Sequence, residues 1–211
     1  MALPTAGREI AMTSENVTTE SKRAMPALMS LLHRDHQSFI RLLDAFQFQV
    51  AITTRGGRPS LHILKSVILY FQGYPAHFHH PREDLILDML KDCTPVLARK
   101  IQAISESHKN LSNRLATLSE ALHNFEANPA AGQAEFRRVA EEFIAFERTH
   151  IDDEEHHLFP RAMEILNDKE WQWLNSSIGD AKDPLFGQAV LAPFTKLRDA
   201  ILSTDHQAHA R

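Results

Sequence analysis

Four stretches of this chain space their apolar residues by three and four, and each stripe is interrupted once by histidine, alone or with glutamate. Such spacing puts side chains on one face of a helix. Leu28, Leu32, Phe39, Leu43, Phe46 and Val50 mark a first helix over about 24–50, with His36 in its gap. After a break at Arg55, Gly56, Gly57, Arg58 and Pro59, Ser60 is placed to cap a second helix reaching about residue 90. Leu64, Ile68, Ile86 and Leu90 share its face, His79 and Glu83 continue it, and Pro75 and Pro81 predict a bend or break. A third helix is expected from Thr94 as cap and Pro95 as first helical residue. Leu97, Ile101, Ile104, Leu111, Leu115, Leu118 and Leu122 form its stripe, and His108 fills the gap. Asn128, Pro129 and Gly132 mark the next turn. The fourth helix should run to about residue 166 with Val139, Phe143, Phe146, Leu158 and Ala162 inward and His150 and Glu154 between them.

Four long helices joined by short polar links predict an all-α, up-down-up-down four-helix bundle over 24–166. No strand alternation of useful length occurs. Residues 1–23 read as a flexible polar tail without the apolar core of a secretory signal. Residues 167–211 hold two further helical patterns, 169–177 with Trp171, Trp173 and Leu174, and 185–202 beyond the Asp183-Pro184 break. They are expected to form a helical extension packed on the bundle, or part of a homodimer contact.

Residues four apart on a helix lie within roughly 40° of one another, so His79 with Glu83 and His150 with Glu154 can each offer an imidazole and a carboxylate to one point. These are the chain's only His-x-x-x-Glu pairs. His79 follows His36 by 43 residues and His150 follows His108 by 42, so the chain reads as two copies of one helical hairpin. A single histidine on an apolar stripe is ordinarily a hydrogen-bonded core residue. Four imidazoles and two carboxylates sharing one core are another matter, because burying them is costly unless they are paired or bound to metal. Two ions, each with two imidazoles and sharing both carboxylates, satisfy all six. Nitrogen and oxygen donors without thiolate suit iron, with manganese or zinc as alternatives. His33, Asp35, His77, His80, His156 and His157 are weaker candidates, and His80 with Asp84 is a shifted alternative to His79 with Glu83. Glu155, five residues after His150, should turn off the shared face. His62, His123, His206 and His209 read as exposed.

Lys plus Arg number 23 against 27 Asp plus Glu, a net charge of −4 that argues against a nucleic-acid or anionic-membrane binder. No apolar run approaches the roughly 20 residues of a membrane span. Cys93 is the only cysteine, so an intrachain disulfide is excluded. A cytoplasmic protein is expected.

The segments LLHRDHQSF, HHPRED, ISESHKNL and HIDDEEHHLFP resemble the hemerythrin-like, or HHE cation-binding, family over about 24–166, and DPLFG at 183–187 resembles a bacterial subgroup of it. The resemblance implies His36, His79, Glu83, His108, His150 and Glu154 as ligands of a non-haem di-iron centre bridged by carboxylate and oxo groups. Oxygen-carrying members have a second histidine one turn after the first in helix three. Here that position is Ser112, a departure that points away from simple oxygen carriage and toward an opening on one ion that Tyr74 could approach. The cysteine-containing domain of the iron–sulfur repair members and the F-box of the iron-sensing members have no counterpart, so a stand-alone domain is expected. The leading functional expectation is a binding protein that captures or senses O2, NO, peroxide or iron itself. A second is an enzyme that reduces or disproportionates peroxide or NO, with His33, His77, His80 or Tyr74 as proton donor. A third is a structural bundle holding zinc.

Overall fold

The computed structural model describes residues 24–91, 95–179 and 182–209; of residues 95, 96 and 203–209 only the backbone is described. The expected tail at 1–23, the Thr94 cap and Cys93 lie outside the described residues, as do the side chains of His206 and His209. Among the described residues there is no strand, and no helix is long and apolar enough to cross a membrane.

Helix α1 spans Ala27–Thr54. It ends where Gly56, at φ 70°, lets the Gly56 and Gly57 amides bond back to the Thr53 and Ile52 carbonyls, a turn that other residues adopt only with strain. Ser60 caps α2 (Leu61–Tyr74) by accepting from the Ile63 amide. The expected bend is a π-turn at Pro75–His79, after which α3 (His80–Leu90) continues the same rod. Helix α4 spans Pro95–Ala127. Asn128 caps α5 (Pro129–Asp153), a second π-turn occupies Glu154–Leu158, and α6 (Phe159–Ile165) completes the fourth rod. Gly132 lies in the first turn of α5 rather than in the loop, and a Cβ there would sit 2.6 Å from the Phe125 Cα. That close approach lets α5 fold back tightly on α4.

The prolines account for both π-turns. Pro81 and Pro160 each stand two residues beyond a π-turn. Proline gives no amide proton to the carbonyl four residues earlier, and its ring crowds that carbonyl. Widening the preceding turn by one residue relieves the clash, and the bonds of the wide turn come from amides five residues on. These are His80 N–H to Pro75 O and Phe159 N–H to Glu154 O.

The four rods pack as a square, α1 beside α2–α3 and α5, α4 beside the same two. Their interior is two apolar clusters, one around Phe39, Phe71, Leu115 and Phe143, the other around Leu32, Ile86, Ile104 and Leu158. Between them lies one polar layer. The C-terminal residues cover the α1 and α2 face. Helix α7 (Asp168–Ser176) offers Asn175 Oδ1 to the Leu28 amide, and the Pro193 carbonyl accepts from Ser66 Oγ. Leu197 and Ile201 of α8 (Thr195–His209) join the first apolar cluster. The helix expected over 185–202 begins only at Thr195. Before it, the Asp183 carboxylate accepts from the Leu185 and Phe186 amides and a 3-10 turn at Ala192–Phe194 carries Pro193, both of which break helical pairing. Trp173 is exposed, whereas Trp171 and Leu174 are buried.

Candidate metal centre

The polar layer holds all six residues that interrupt the stripes. His36, His79, Glu83, His150 and Glu154 are buried and the His108 side chain is 7% exposed. All four Nε2 atoms face the two carboxylates. His36 and His79 lie 3.3 and 3.0 Å from Glu83 Oε1, and His108 lies 3.5 Å from Glu83 Oε2. His36 and His150 lie 3.3 and 3.4 Å from Glu154 Oε2, and His108 lies 3.4 Å from Glu154 Oε1. Each carboxylate therefore reaches from one histidine pair to the other.

Of these carboxylate contacts only that of His108 Nε2 with Glu154 Oε1 has hydrogen-bonding geometry. Both oxygens of Glu83 and Oε2 of Glu154 are fully buried and lack a hydrogen-bond partner. The Nε2 atoms of His36 and His79 approach to 3.0 Å, nitrogen to nitrogen. Donor atoms each about 2.1 Å from one ion would be spaced by roughly 3.0–3.4 Å, close to the separations observed. The orphaned oxygens and converging nitrogens fit a bound cation.

The outer nitrogens are held as firmly. His36 Nδ1 lies 2.7 Å from Glu155 Oε1, His79 Nδ1 3.1 Å from Asp35 Oδ2, and His108 Nδ1 3.0 Å from Asp84 Oδ1. His150 Nδ1 lies 2.9 Å from Ser107 Oγ, whose own proton goes to the Ile104 carbonyl. Each partner is the chain neighbour of a residue in the central set. An Nδ1–H bond of this kind fixes the ring and aims Nε2 inward as a lone pair.

Electrostatics give the same picture. Burial pulls the His36, His79 and His108 imidazoles down, but the surrounding carboxylates outweigh it. Glu154, Glu155 and Glu83 hold His36 well above the ordinary range, Glu83 and Asp35 raise His79, and Asp84, Glu154 and Glu83 take His108 to about 10. Burial opposes ionisation of Glu83 and Glu154, yet the imidazoles keep both below the usual carboxylate range. Protons on imidazole thus occupy the place of cationic charge, and a metal would displace them. For His150 burial prevails and lowers the pKa.

Glu155 and Glu147 were not expected to face inward, and His80 was expected only as an alternative to His79. Glu155 turns toward His36 because the π-turn Glu154–Leu158 brings two successive residues to the inner face, and it also pairs with His33 at 2.6 Å. His80 is buried against His108 and His150 for the same reason after Pro75–His79. Glu147, not Phe146, continues the buried face of α5; burial and then the charge of Glu154 raise its pKa to about 8. Phe146 is half-buried beneath the Arg114 guanidinium. His77, His156, His157, His62 and His123 are exposed, and so is Ser112.

Two groups of side chains bring ligand atoms within 4.8 Å of one another: His36, His79 and Glu83, and His80, Glu83, His108 and His150. A cavity of about 200 Å³ opens beside the second, lined by Ile104, Ser107, Phe146, His150 and Leu158. The model of one protein family, the hemerythrin HHE cation binding domain, matches residues 27–162. No curated protein and no solved structure matches the chain.

Proposed function

This chain belongs to the hemerythrin HHE cation-binding family, and from that premise we propose that it holds two iron ions at His36, His79, Glu83, His108, His150 and Glu154 and uses them to bind or sense a small ligand such as O2, NO or peroxide. The observation that carries the reading is the pair of buried carboxylates, each reaching both histidine pairs, with three of their four oxygens lacking a hydrogen-bond partner. His36 and His79 would serve one ion, His108 and His150 the other, and Glu83 and Glu154 both. Six nitrogen and oxygen donors shared by two ions favour iron over zinc, which closes structural sites with four ligands. When bound, the pair supplies Lewis acidity and redox capacity at adjacent exchangeable positions.

The chain's own residues aim the imidazoles, through Asp35, Glu155, Asp84 and Ser107, and the two apolar clusters exclude bulk water. The cavity beside His150 is large enough for a diatomic molecule or peroxide with a few waters, each of which takes about 30 Å³. It is small for an organic substrate, which supports ligand capture rather than turnover of larger molecules.

Metal analysis with an optical spectrum on iron-supplied protein tests this. About two irons per chain with near-ultraviolet ferric absorption are expected, and both Glu83→Ala and Glu154→Ala should lose iron from the site. Retention of two irons in both variants would sink the assignment. One zinc per chain would replace the iron reading with a structural role.

A further inference from the structure

His80 is the one imidazole of the polar layer that the six-residue set leaves unused. It is 6% exposed and packs edge-on against His79 at 5.5 Å between ring centroids. Its surroundings are not those of a packing residue. The ring lies over His108 at 4.2 Å between centroids and 14° between planes, and edge-on to His150 at 5.6 Å. His108 and His150 are themselves 5.0 Å apart. Three imidazoles bound through nitrogen at about 2.1 Å to one ion would have centroids roughly 4.5–5.5 Å apart, so His108 and His150 already have that spacing and His80 would turn out of its stack on His108 to join them. A ring nitrogen of His80 also falls within 4.8 Å of ligand atoms of Glu83, His108 and His150.

The backbone explains how two adjacent histidines point inward. In a regular helix His79 and His80 would be turned about 100° apart, and one would leave the face. The π-turn Pro75–His79 carries one extra residue, so His79 meets His36 while His80 meets His108 and His150. We propose that His80 is a metal ligand, the third imidazole of the ion held by His108 and His150, so that the two ions have unequal ligand sets. This rests on the ion-pair reading above.

The test loads the full chain with iron(II) or cobalt(II) and measures metal per chain before and after challenge with a chelator, for wild type, His80→Ala and His80→Gln. Wild type should keep two ions. Loss of a residue that only orients a ligand typically weakens metal binding 10–100-fold, so loss of a ligand should release one ion at least about 100-fold more readily. Free imidazole should restore the second ion in His80→Ala, which a packing defect would not allow. His77→Ala removes an exposed neighbour whose Nδ1 bonds only the Gly73 carbonyl, and should change nothing. If His80→Ala loses helicity, His80→Gln decides. Two ions held as tightly in both His80 variants as in wild type would overturn the proposal while leaving the pair reading intact. Fewer than two ions in wild type would overturn both.

Discussion

The two hairpins carry the same ligand pattern at nearly the same spacing, but they embed it differently. In the first, formed by α1 with α2–α3, the π-turn precedes Glu83 and delivers an extra imidazole, His80. In the second, formed by α4 with α5–α6, the π-turn begins at Glu154 and delivers an extra carboxylate, Glu155. The supports differ as well. Asp35, which holds His79, is itself gripped by Tyr74 Oη at 3.2 Å; Tyr74 accepts from Arg82, and Arg82 Nε donates to the Ile178 carbonyl beyond α7. The C-terminal residues thereby lock the first half. His150 in the second half has only a hydroxyl behind it, beside an apolar cavity. A repeated ligand pattern has thus been given one half tied into the C-terminal residues and one that is open at its own histidine, His150, which lines a cavity.

Glu147 gives the sharpest way to test that difference. Its counterpart three residues before His79 is Ala76, so this buried carboxyl group has no equivalent in the first hairpin. With its pKa raised to about 8, Glu147 holds a proton in the folded protein that it has lost in the unfolded chain from about pH 5 upward. Its contribution is harmless below the ordinary carboxyl range, grows more unfavourable as pH rises through that range, and levels off above pH 8. Glu147→Gln keeps the shape and removes the titration. In metal-free protein it should add up to about 4 kcal/mol of stability at pH 8 and little at pH 5, read from urea unfolding at the two pH values. An equal gain at both would mean that Glu147 is solvated rather than buried.

The supports come next in size. Removing a carboxylate that orients a ligand histidine typically weakens metal binding 10–100-fold. Asp35→Ala should reach the upper part of that range, because Asp35 is buried and both His79 Nδ1 and Tyr74 Oη depend on it. Asp84, whose side chain is 51% exposed, holds His108 from the surface, and Asp84→Ala should fall at the lower end. Chelator competition measures both, and the reverse order would break the contrast between a locked and an open half.

Much of this arrangement was legible in the chain itself, and part of what was hidden has a common cause. Apolar steps of three and four located the rods, Ser60 located a cap, and the interruptions of the stripes located His36, His79, Glu83, His108, His150 and Glu154, all of which meet in one layer. A wheel of 3.6 residues cannot describe a turn that carries an extra one. It therefore turned Glu155 outward and left His79 and His80 as alternatives when both are inside; Glu147 lies in the regular part of α5 and was missed only because the apolar Phe146 was favoured over a carboxyl group. The signal was present in Pro81 and Pro160, each two residues past a π-turn, but only the first was read as a bend. The helix expected over 185–202 failed for a different reason: apolar spacing there reflects a cover laid across α1 and α2, while Asp183 and Pro193 set the local backbone.

Ser107→Ala should have the smallest effect, and the reason lies in what surrounds it. Losing a neutral hydrogen bond costs about 0.5–1.5 kcal/mol when the remaining partner can still be solvated, and more when it cannot. Ser107 lines the cavity beside His150, so water entering that space can accept from His150 Nδ1 in place of the hydroxyl. The variant should then hold its ions within about tenfold of wild type by chelator competition. Asp35 also lines a cavity, of about 470 Å³, but water is a poor substitute for it because its carboxylate serves His79 Nδ1 and Tyr74 Oη together. If Ser107→Ala instead proved as costly as Asp35→Ala, water would not be reaching His150, and the cavity could not be the route by which a small ligand approaches the centre.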